Sequence, residues 1–289
     1  MNLLITGSTG NTGYETIRGL REISTEHKII AGAYRAENAK KSLSEFEIDE
    51  FRKLDFANPS TFDKALDEID IVFLLRPPQL ADVPKYFEPF LNAMMAKNIR
   101  NIVFLSVQGA ENQKNIPHHK LEKLILVKGM DYVFLRPSYF MQNLTTTLIH
   151  EIKTERKIFI PSGNLKFTWV DTRDIGHVGA HVLNEFGKYQ NQAIEITGKE
   201  QKNFHEVAKL LSEKTGHTID YESPNLLKFF IKKRKQGVKP AMIFVMIMLH
   251  YLPRFSKTKN LISSSVKDIT GKEPGILENF IEREKASFQ

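Results

Sequence analysis

Three glycines carry the first chemical signal. They lie in Gly7-Ser8-Thr9-Gly10-Asn11-Thr12-Gly13, directly after an apolar run (Leu3–Thr6) and at the opening of a segment over 12–22 with apolar residues three and four apart. In a strand–turn–helix unit, Gly7 permits the tight turn, Gly10 lets backbone approach a pyrophosphate, and Gly13 lets the helix lie close to the strand. The amides at the helix start then point at phosphate oxygens. A second signal stands 22 residues after Gly13, where Ala33-Tyr34-Arg35 ends the next apolar run with no acid until Glu37. A site that reads NAD places an acid there for the ribose 2′-hydroxyl. A guanidinium instead suits a 2′-phosphate, which an acid would repel. The expected ligand is therefore NADP(H) in preference to NAD(H).

A missing pair narrows the chemistry. Ordinary short-chain dehydrogenases use Tyr-x-x-x-Lys for proton transfer, but none of the eight Tyr residues has Lys four positions later. Ketone reduction makes an alkoxide and needs a positioned acid. A reduced quinone or dye anion has a pKa nearer that of a phenol, roughly 10, and water can protonate it. Hydride transfer to a conjugated, electron-poor acceptor survives the loss of the dyad.

Other titratable residues have two readings each. His118 and Glu122 share a helix face at a spacing of four, so His118 is a candidate proton relay or one end of a helix-side hydrogen bond. His177 and His181 have the same spacing, but no Glu follows His177 as in a zinc protease and no further ligand cluster appears, so no metal is expected. Asp171 and Asp174 flank the start of a helix near Thr172, where carboxylates cap free amides. Trp169, the only Trp, either roofs a substrate pocket or packs the core where two lobes join.

These residues need elements to hold them. The apolar runs Leu3–Thr6, Ile29–Ala33, Ile69–Leu75, Ile102–Ser106 and Tyr132–Arg136 are continuous, as in parallel strands covered on both faces. Helix-like segments over 12–22, 59–68, 82–97 and 117–127 alternate with them. The fold expected is α/β: a doubly wound, Rossmann-type parallel sheet with a smaller, mainly helical C-terminal lobe. Residues 1–140, with segments from about 165–197, form the nucleotide-binding domain, and 141–164 with 198–289 the substrate lobe. A late strand is expected over 193–197.

Composition removes several function classes. With 289 residues, 41% hydrophobic and 26% charged, the chain is ordinary globular protein. The absence of cysteine excludes disulfides, thiolate metal sites and thiol catalysis, and suits a reducing, cytoplasmic location. No secretory signal opens the chain. The longest apolar run, Ala241–Leu249, has nine residues against the roughly 20 needed to span a bilayer, so no transmembrane segment is expected. A net charge of +7 favours anionic partners, but no nucleic-acid module is present and none is expected to bind. The stretch 228–252 joins a basic cluster to an apolar helix. It is read chiefly as a cover for an aromatic acceptor or a subunit contact, and secondarily as a membrane-surface contact. The oligomeric state stays open.

Nearly the whole chain resembles one family. The stretches ITGSTGNTG at 5–13, AYR at 33–35, LDFANPSTFDKAL at 54–66, IDIVFLLRPP at 69–78, IVFLSVQGA at 102–110, HHKLE at 118–122, LRPSYFMQNL at 135–144, WVDTRDIG at 169–176 and VKDITGKEPGILENFIERE at 266–284 carry the likeness. They resemble the NmrA-like branch of the atypical short-chain dehydrogenase/reductases. That branch includes type 2 quinone reductases, triarylmethane dye reductases and non-catalytic nucleotide-sensing regulators. The resemblance implies that Gly7, Thr9, Gly10, Asn11, Thr12 and Gly13 hold the pyrophosphate and Arg35 the 2′-phosphate. It puts Asp55 and Phe56 against adenine, Leu75 and Arg76 over the cofactor, and Ser106 and Val107 near the nicotinamide ribose. Pro137, Tyr139 and Phe140 line the nicotinamide, and Asn143 turns to the substrate. Arg76 departs from the small polar residue usual there, and either adds charge at the phosphate, narrows the entrance or folds away. The activity implied is NADPH-dependent reduction of a conjugated small molecule in the cleft between lobes, with Asn143 and His118 as candidate catalytic residues. The alternative is a non-catalytic NADP(H) sensor.

Overall fold

The computed structural model describes residues 1–255 and 261–289. Its strands, in chain order, are β1 (Asn2–Thr6), β2 (Lys28–Ala33), β3 (Glu50–Lys53), β4 (Ile71–Leu75), β5 (Asn101–Leu105), β6 (Asp131–Pro137), β7 (Tyr139–Phe140), β8 (Lys157–Phe159), β9 (Phe167–Val170), β10 (Gln192–Ile196), β11 (Glu200–Lys202) and β12 (Asp220–Glu222). The chain divides into two units. One comprises Met1–Ser138, Thr172–Ile196 and Ser264–Glu273, the other Tyr139–Asp171, Thr197–Ser263 and Pro274–Gln289.

The first unit is the doubly wound sheet. Seven strands run in the order β10-β6-β5-β4-β1-β2-β3, every neighbouring pair parallel. The order reverses between β1 and β4, where ligands bind in such sheets. The continuous apolar runs become strands because both faces are covered. Leu4, Val72, Leu74, Phe104 and Phe134 meet Phe87, Phe90 and Met94 in one core cluster. Their neighbours Ile5, Phe73, Val103 and Leu135 are also fully buried, as period-two alternation requires on the other face. That face is covered by helices Asn11–Glu22 and Thr172–Asn184, which pack closely on each other. A Cβ on Gly176 would lie 2.4 Å from the Glu15 carbonyl carbon, so only glycine admits the approach. Helix Ser265–Thr270 also packs on Thr172–Asn184.

Several elements differ in extent from the sequence expectation. β4 begins at Ile71 because the Asp70 carboxylate turns to accept the Asn2 amide at 2.7 Å. The segment over 82–97 forms two helices, Val83–Tyr86 and Glu88–Ala96, each with proline in its opening turn. The segment over 59–68 is a 3₁₀ turn, Pro59–Thr61, followed by one helical turn, Phe62–Ala65.

The second unit is built around aromatics. β11, β9 and β7 form one small sheet and β12 with β8 another. Fully buried Trp169, Phe159, Phe204, Phe229 and Phe280 fill its core, with helices Ile149–Glu155, Phe204–Thr215, Leu226–Lys235, Pro240–His250 and Leu277–Arg283 around them. Asn203 and Glu206 form a reciprocal capping box on helix Phe204–Thr215. No helix among the described residues is long and apolar enough to cross a membrane.

Candidate functional site

The carboxyl edge of the parallel sheet gathers the first unit's candidates. At the seam where strand order reverses, the Thr6 hydroxyl accepts the Leu75 amide at 2.8 Å. Gly7 then takes φ +57°, a left-handed value, and its carbonyl accepts the Gly10 amide at 2.9 Å. The turn is pinned from behind by the Ser8 hydroxyl on the Gly32 carbonyl, at 3.2 Å. A Cβ on Gly13 would sit 2.4 Å from the Gly7 carbonyl oxygen, so the helix rests against the turn itself. Gly7, Thr9, Gly10 and Asn11 are exposed, while Thr12 and Gly13 are buried beneath them. Helix Asn11–Glu22 starts at Gly10 with no side-chain cap and no acid in its first turn. Its amides and the positive end of its dipole are thus open to an anion.

Arg35 follows β2 and is exposed. Its guanidinium has no partner among the described residues, so one fixed positive charge stands at the end of the strand next to the turn. Asp55, after β3, accepts the Ala57 amide at 2.9 Å and so shapes its own turn. The Phe56 ring is buried, 5.0 Å from both Phe87 and Phe90, so only its backbone can meet a ligand. Leu75 ends β4. Arg76 beyond it is folded onto its own loop, donating to the carbonyls of Pro77, Pro78 and Leu80 at 3.0, 3.2 and 3.1 Å. Its Nε is buried without a partner.

After β5 the sequence expectation needs correction. His118 and Glu122 form no hydrogen bond among the described residues. Glu122, 4% exposed, accepts the Ser106 hydroxyl at 2.5 Å and both Nε and Nη2 of Arg136, at 3.0 and 2.8 Å. Arg136 also pairs with Glu111 at 2.8 Å and approaches Glu195 at 3.9 Å. Burial, then the neighbouring Glu111 carboxylate, push Glu195 up to about 7. Ser106 is therefore a strut of this network, and half-buried Val107 continues from it. Pro137, at the end of β6, is buried and its carbonyl accepts the Gln108 amide at 2.9 Å.

His118 stacks near Phe104, ring centroids 6.1 Å apart. Burial, and secondarily the Arg76 guanidinium, push its pKa down to about 3. The imidazole is neutral across ordinary pH, so it can share a hydrogen bond but holds no cationic proton to give. His118→Gln should leave the pH profile of any turnover unchanged between about pH 5 and 8. Disappearance of a limb near the ordinary His value in that variant, measured on kcat, would contradict the neutral assignment.

Tyr139, Phe140, Asn143 and Trp169 belong to the second unit. Trp169 is fully buried, and its indole N–H donates to the Lys202 carbonyl at 2.9 Å; it packs the core of its unit. Tyr139 packs on Trp169, Phe167 and Phe204. Its hydroxyl and His250 Nε2 are 2.8 Å apart, and His250 Nδ1 is 2.7 Å from the Met246 carbonyl. A carbonyl only accepts, so Nδ1 carries the proton and Nε2 accepts from the tyrosine. Burial drives the Tyr139 pKa upward, partly opposed by the Asn143 amide on the same hydroxyl, and drives His250 down to about 4. Tyr139 and His250 therefore form one neutral hydrogen-bonded pair. Phe140 is half-buried and pairs with Val170 between β7 and β9. Asp171 receives Gln142 at 2.7 Å and Arg283 at 2.8 Å.

The Tyr139–His250 contact spans 111 residues and the Arg136–Glu122 contact 14, and neither falls at a spacing that marks a motif. The paired histidines of helix Thr172–Asn184 have an ordinary role: His177 meets Glu22 at 2.9 Å. No group of His, Asp and Glu that could hold a metal forms among the described residues.

Residues 1–241 match the model of the NmrA-like family. The chain belongs to the NmrA-like family. Among relatives of this NmrA-like protein, the prestalk A differentiation protein A of Dictyostelium discoideum is 28% identical, the match covering 97% of this chain and 91% of that one. The NAD(P)H azoreductase of Xenophilus azovorans is 24% identical, with 99% of each chain covered. The triphenylmethane reductase of Citrobacter sp., solved with NADP(H), shares the fold at a TM-score of 0.82 and 17% identity, covering 99% of this chain and all of that one.

Proposed function

We propose that this NmrA-like chain is an NADPH-dependent oxidoreductase that reduces a quinone, a dye or a similar conjugated acceptor. The observation that carries the reading is the uncapped start of helix Asn11–Glu22 beneath an exposed glycine turn, with the unpaired Arg35 cation at the end of the adjacent strand. These residues fit the ligand by their chemistry. Open amides and a positive dipole end suit a diphosphate, and a guanidinium without an acid beside it suits a 2′-phosphate. Gly7, Thr9, Gly10, Asn11, Thr12 and Gly13 hold the diphosphate in this reading, and Asp55 and the Phe56 backbone flank adenine. Leu75, Ser106, Val107 and Pro137 bound the remainder, with Tyr139 and Phe140 at the nicotinamide and Asn143 on the acceptor side. Residues 1–140 with parts of 165–197 serve the nucleotide, and 141–164 with 198–289 the acceptor. When bound, the reduced nicotinamide supplies a hydride.

The chain's own groups argue for the class of acceptor. Ser106 is committed to Glu122, Tyr139 to His250, and His118 is neutral. None of these three offers an acidic proton near neutral pH, and Glu195, pushed up to about 7, sits against Arg136 and Glu111 rather than among the residues assigned to the acceptor, so an acceptor whose reduced anion is already weakly basic suits the site better than a ketone. The azoreductase and dye reductase among the similar proteins act on molecules of this electronic kind, which supports the reading. A cytoplasmic location goes with it, since a chain without cysteine suits a reducing compartment.

The test is stopped-flow absorbance of NADPH with a panel of quinones, azo dyes and triarylmethanes. Consumption with at least one of them is expected. A flat trace with nucleotide still bound contradicts turnover and leaves a nucleotide-sensing protein. Arg35→Asp is expected to weaken NADPH on the order of 100-fold, the value of a charge-assisted bidentate contact, while NADH changes little. An unchanged NADPH-to-NADH ratio in titration would remove Arg35 from the 2′-phosphate.

A further inference from the structure

Between Glu222 and Asp268 the chain has no acidic residue and ten Lys or Arg. Helices Leu226–Lys235 and Pro240–His250 of the second unit lie in this stretch and touch through Phe230 and Phe244, ring centroids 5.9 Å apart. Helix Pro240–His250 (PAMIFVMIMLH) is apolar all round, a pattern that normally means burial on every side. Here only Ile243, Met246 and His250 are buried; Phe244 is 57% exposed, Leu249 56% and Met248 50%, with Met242 and Val245 beside them.

The lysines of this stretch divide into two sets. Lys233 is buried against Glu151, while Lys228 and Lys232 meet Glu222 and Glu155. Lys235 and Lys239 have no ion partner among the described residues. A groove of about 500 Å³ on the outside of this helix is lined by Lys228, Lys232 and Lys235 together with Leu227, Ile231 and Asn225. It sets the unpaired Lys235 ammonium beside aliphatic surface.

We propose that this helix pair docks on an anionic phospholipid bilayer. Exposed Phe, Leu and Met side chains enter the acyl boundary while lysines meet headgroup phosphates, the combination that holds interfacial helices at a membrane. Charge argues against a second copy as the cover: a two-fold contact would set the unpaired Lys235 and Lys239 charges against those of the other copy. The proposal stands independently of the nucleotide reading.

Flotation of the full chain with phosphatidylcholine vesicles, with and without phosphatidylglycerol, tests it. Binding is expected to be at least about tenfold stronger on the anionic vesicles and to collapse in about 0.5 M NaCl, where the screening length is roughly 4 Å. The triple variant Phe244→Ser, Met248→Ser, Leu249→Ser should lose binding, and so should Lys235→Glu with Lys239→Glu. All five side chains point to solvent, so the fold should persist in both, and the wild-type comparison decides even if a variant misfolds. Failure of the wild type to float with anionic vesicles overturns the proposal. So does sedimentation showing a wild-type dimer that the triple variant breaks, which would make a second copy the cover. An unchanged float in both variants overturns it as well.

Discussion

Gly13→Ala is expected to lower NADPH affinity roughly 100-fold or more, a loss near 3 kcal/mol. The added methyl would lie 2.4 Å from the Gly7 carbonyl oxygen, 2.9 Å from the Ser8 Cα and 3.0 Å from the Gly7 carbonyl carbon. All three are backbone atoms of the turn, so no side chain can swing aside. The helix must lift away from β1, carrying its open amides off the position that the turn sets for them. Overpacking of this kind also costs about 1–3 kcal/mol of stability. Gly187→Ala is the control: its new methyl meets nothing within 4 Å and its backbone is not left-handed, so a neutral outcome is expected. Titration calorimetry and thermal melts of both variants check the pair. Equal affinity in Gly13→Ala and wild type would mean that the turn does not hold the nucleotide.

Glu122→Ala is expected to cost about 3 kcal/mol, at the lower end for breaking a buried ion pair. The carboxylate is nearly fully buried and takes two bonds from Arg136 and one from Ser106. Removing it leaves the Ser106 hydroxyl without its acceptor and the guanidinium with only Glu111, a more exposed partner, and distant Glu195. A drop in Tm of roughly 5–10 °C follows for a chain of this size. Glu122→Gln keeps an acceptor for Ser106 and should fall between wild type and alanine. A Tm within experimental error of wild type for Glu122→Ala would show that the network contributes nothing net.

What was legible in the sequence follows from how local each signal is. The buried strands were readable because a parallel sheet covered on both faces demands continuous apolar runs, and LLIT, IVFLL and IVFL supply them. The glycine turn was readable because backbone geometry, not a partner elsewhere, requires those residues. β3 (EFRK) was not readable as an apolar run, because an edge strand is half-exposed and tolerates charge. The divided helices over 59–68 and 82–97 show local proline and capping effects overriding apolar spacing.

At the candidate site, the place of Arg35 just after β2 was legible by its distance from the glycines. Tertiary packing decided the others. The helix spacing that paired His118 with Glu122 carried no information about Arg136, which arrives from another strand and claims the carboxylate with a bidentate bond. The choice between core and pocket for Trp169 depended on β11, whose Lys202 carbonyl takes the indole proton. The apolar run over 241–249 was visible as composition, but nothing local indicated that one side of that helix faces solvent.

The central claim is that the amino-terminal turn and Arg35 together bind a phosphorylated nicotinamide dinucleotide. Isothermal titration of the purified chain with NADPH and NADH measures it directly. Saturable one-to-one heat with NADPH, and at least about tenfold weaker binding of NADH, is the result expected from the charge at Arg35. No heat with either nucleotide would contradict the account.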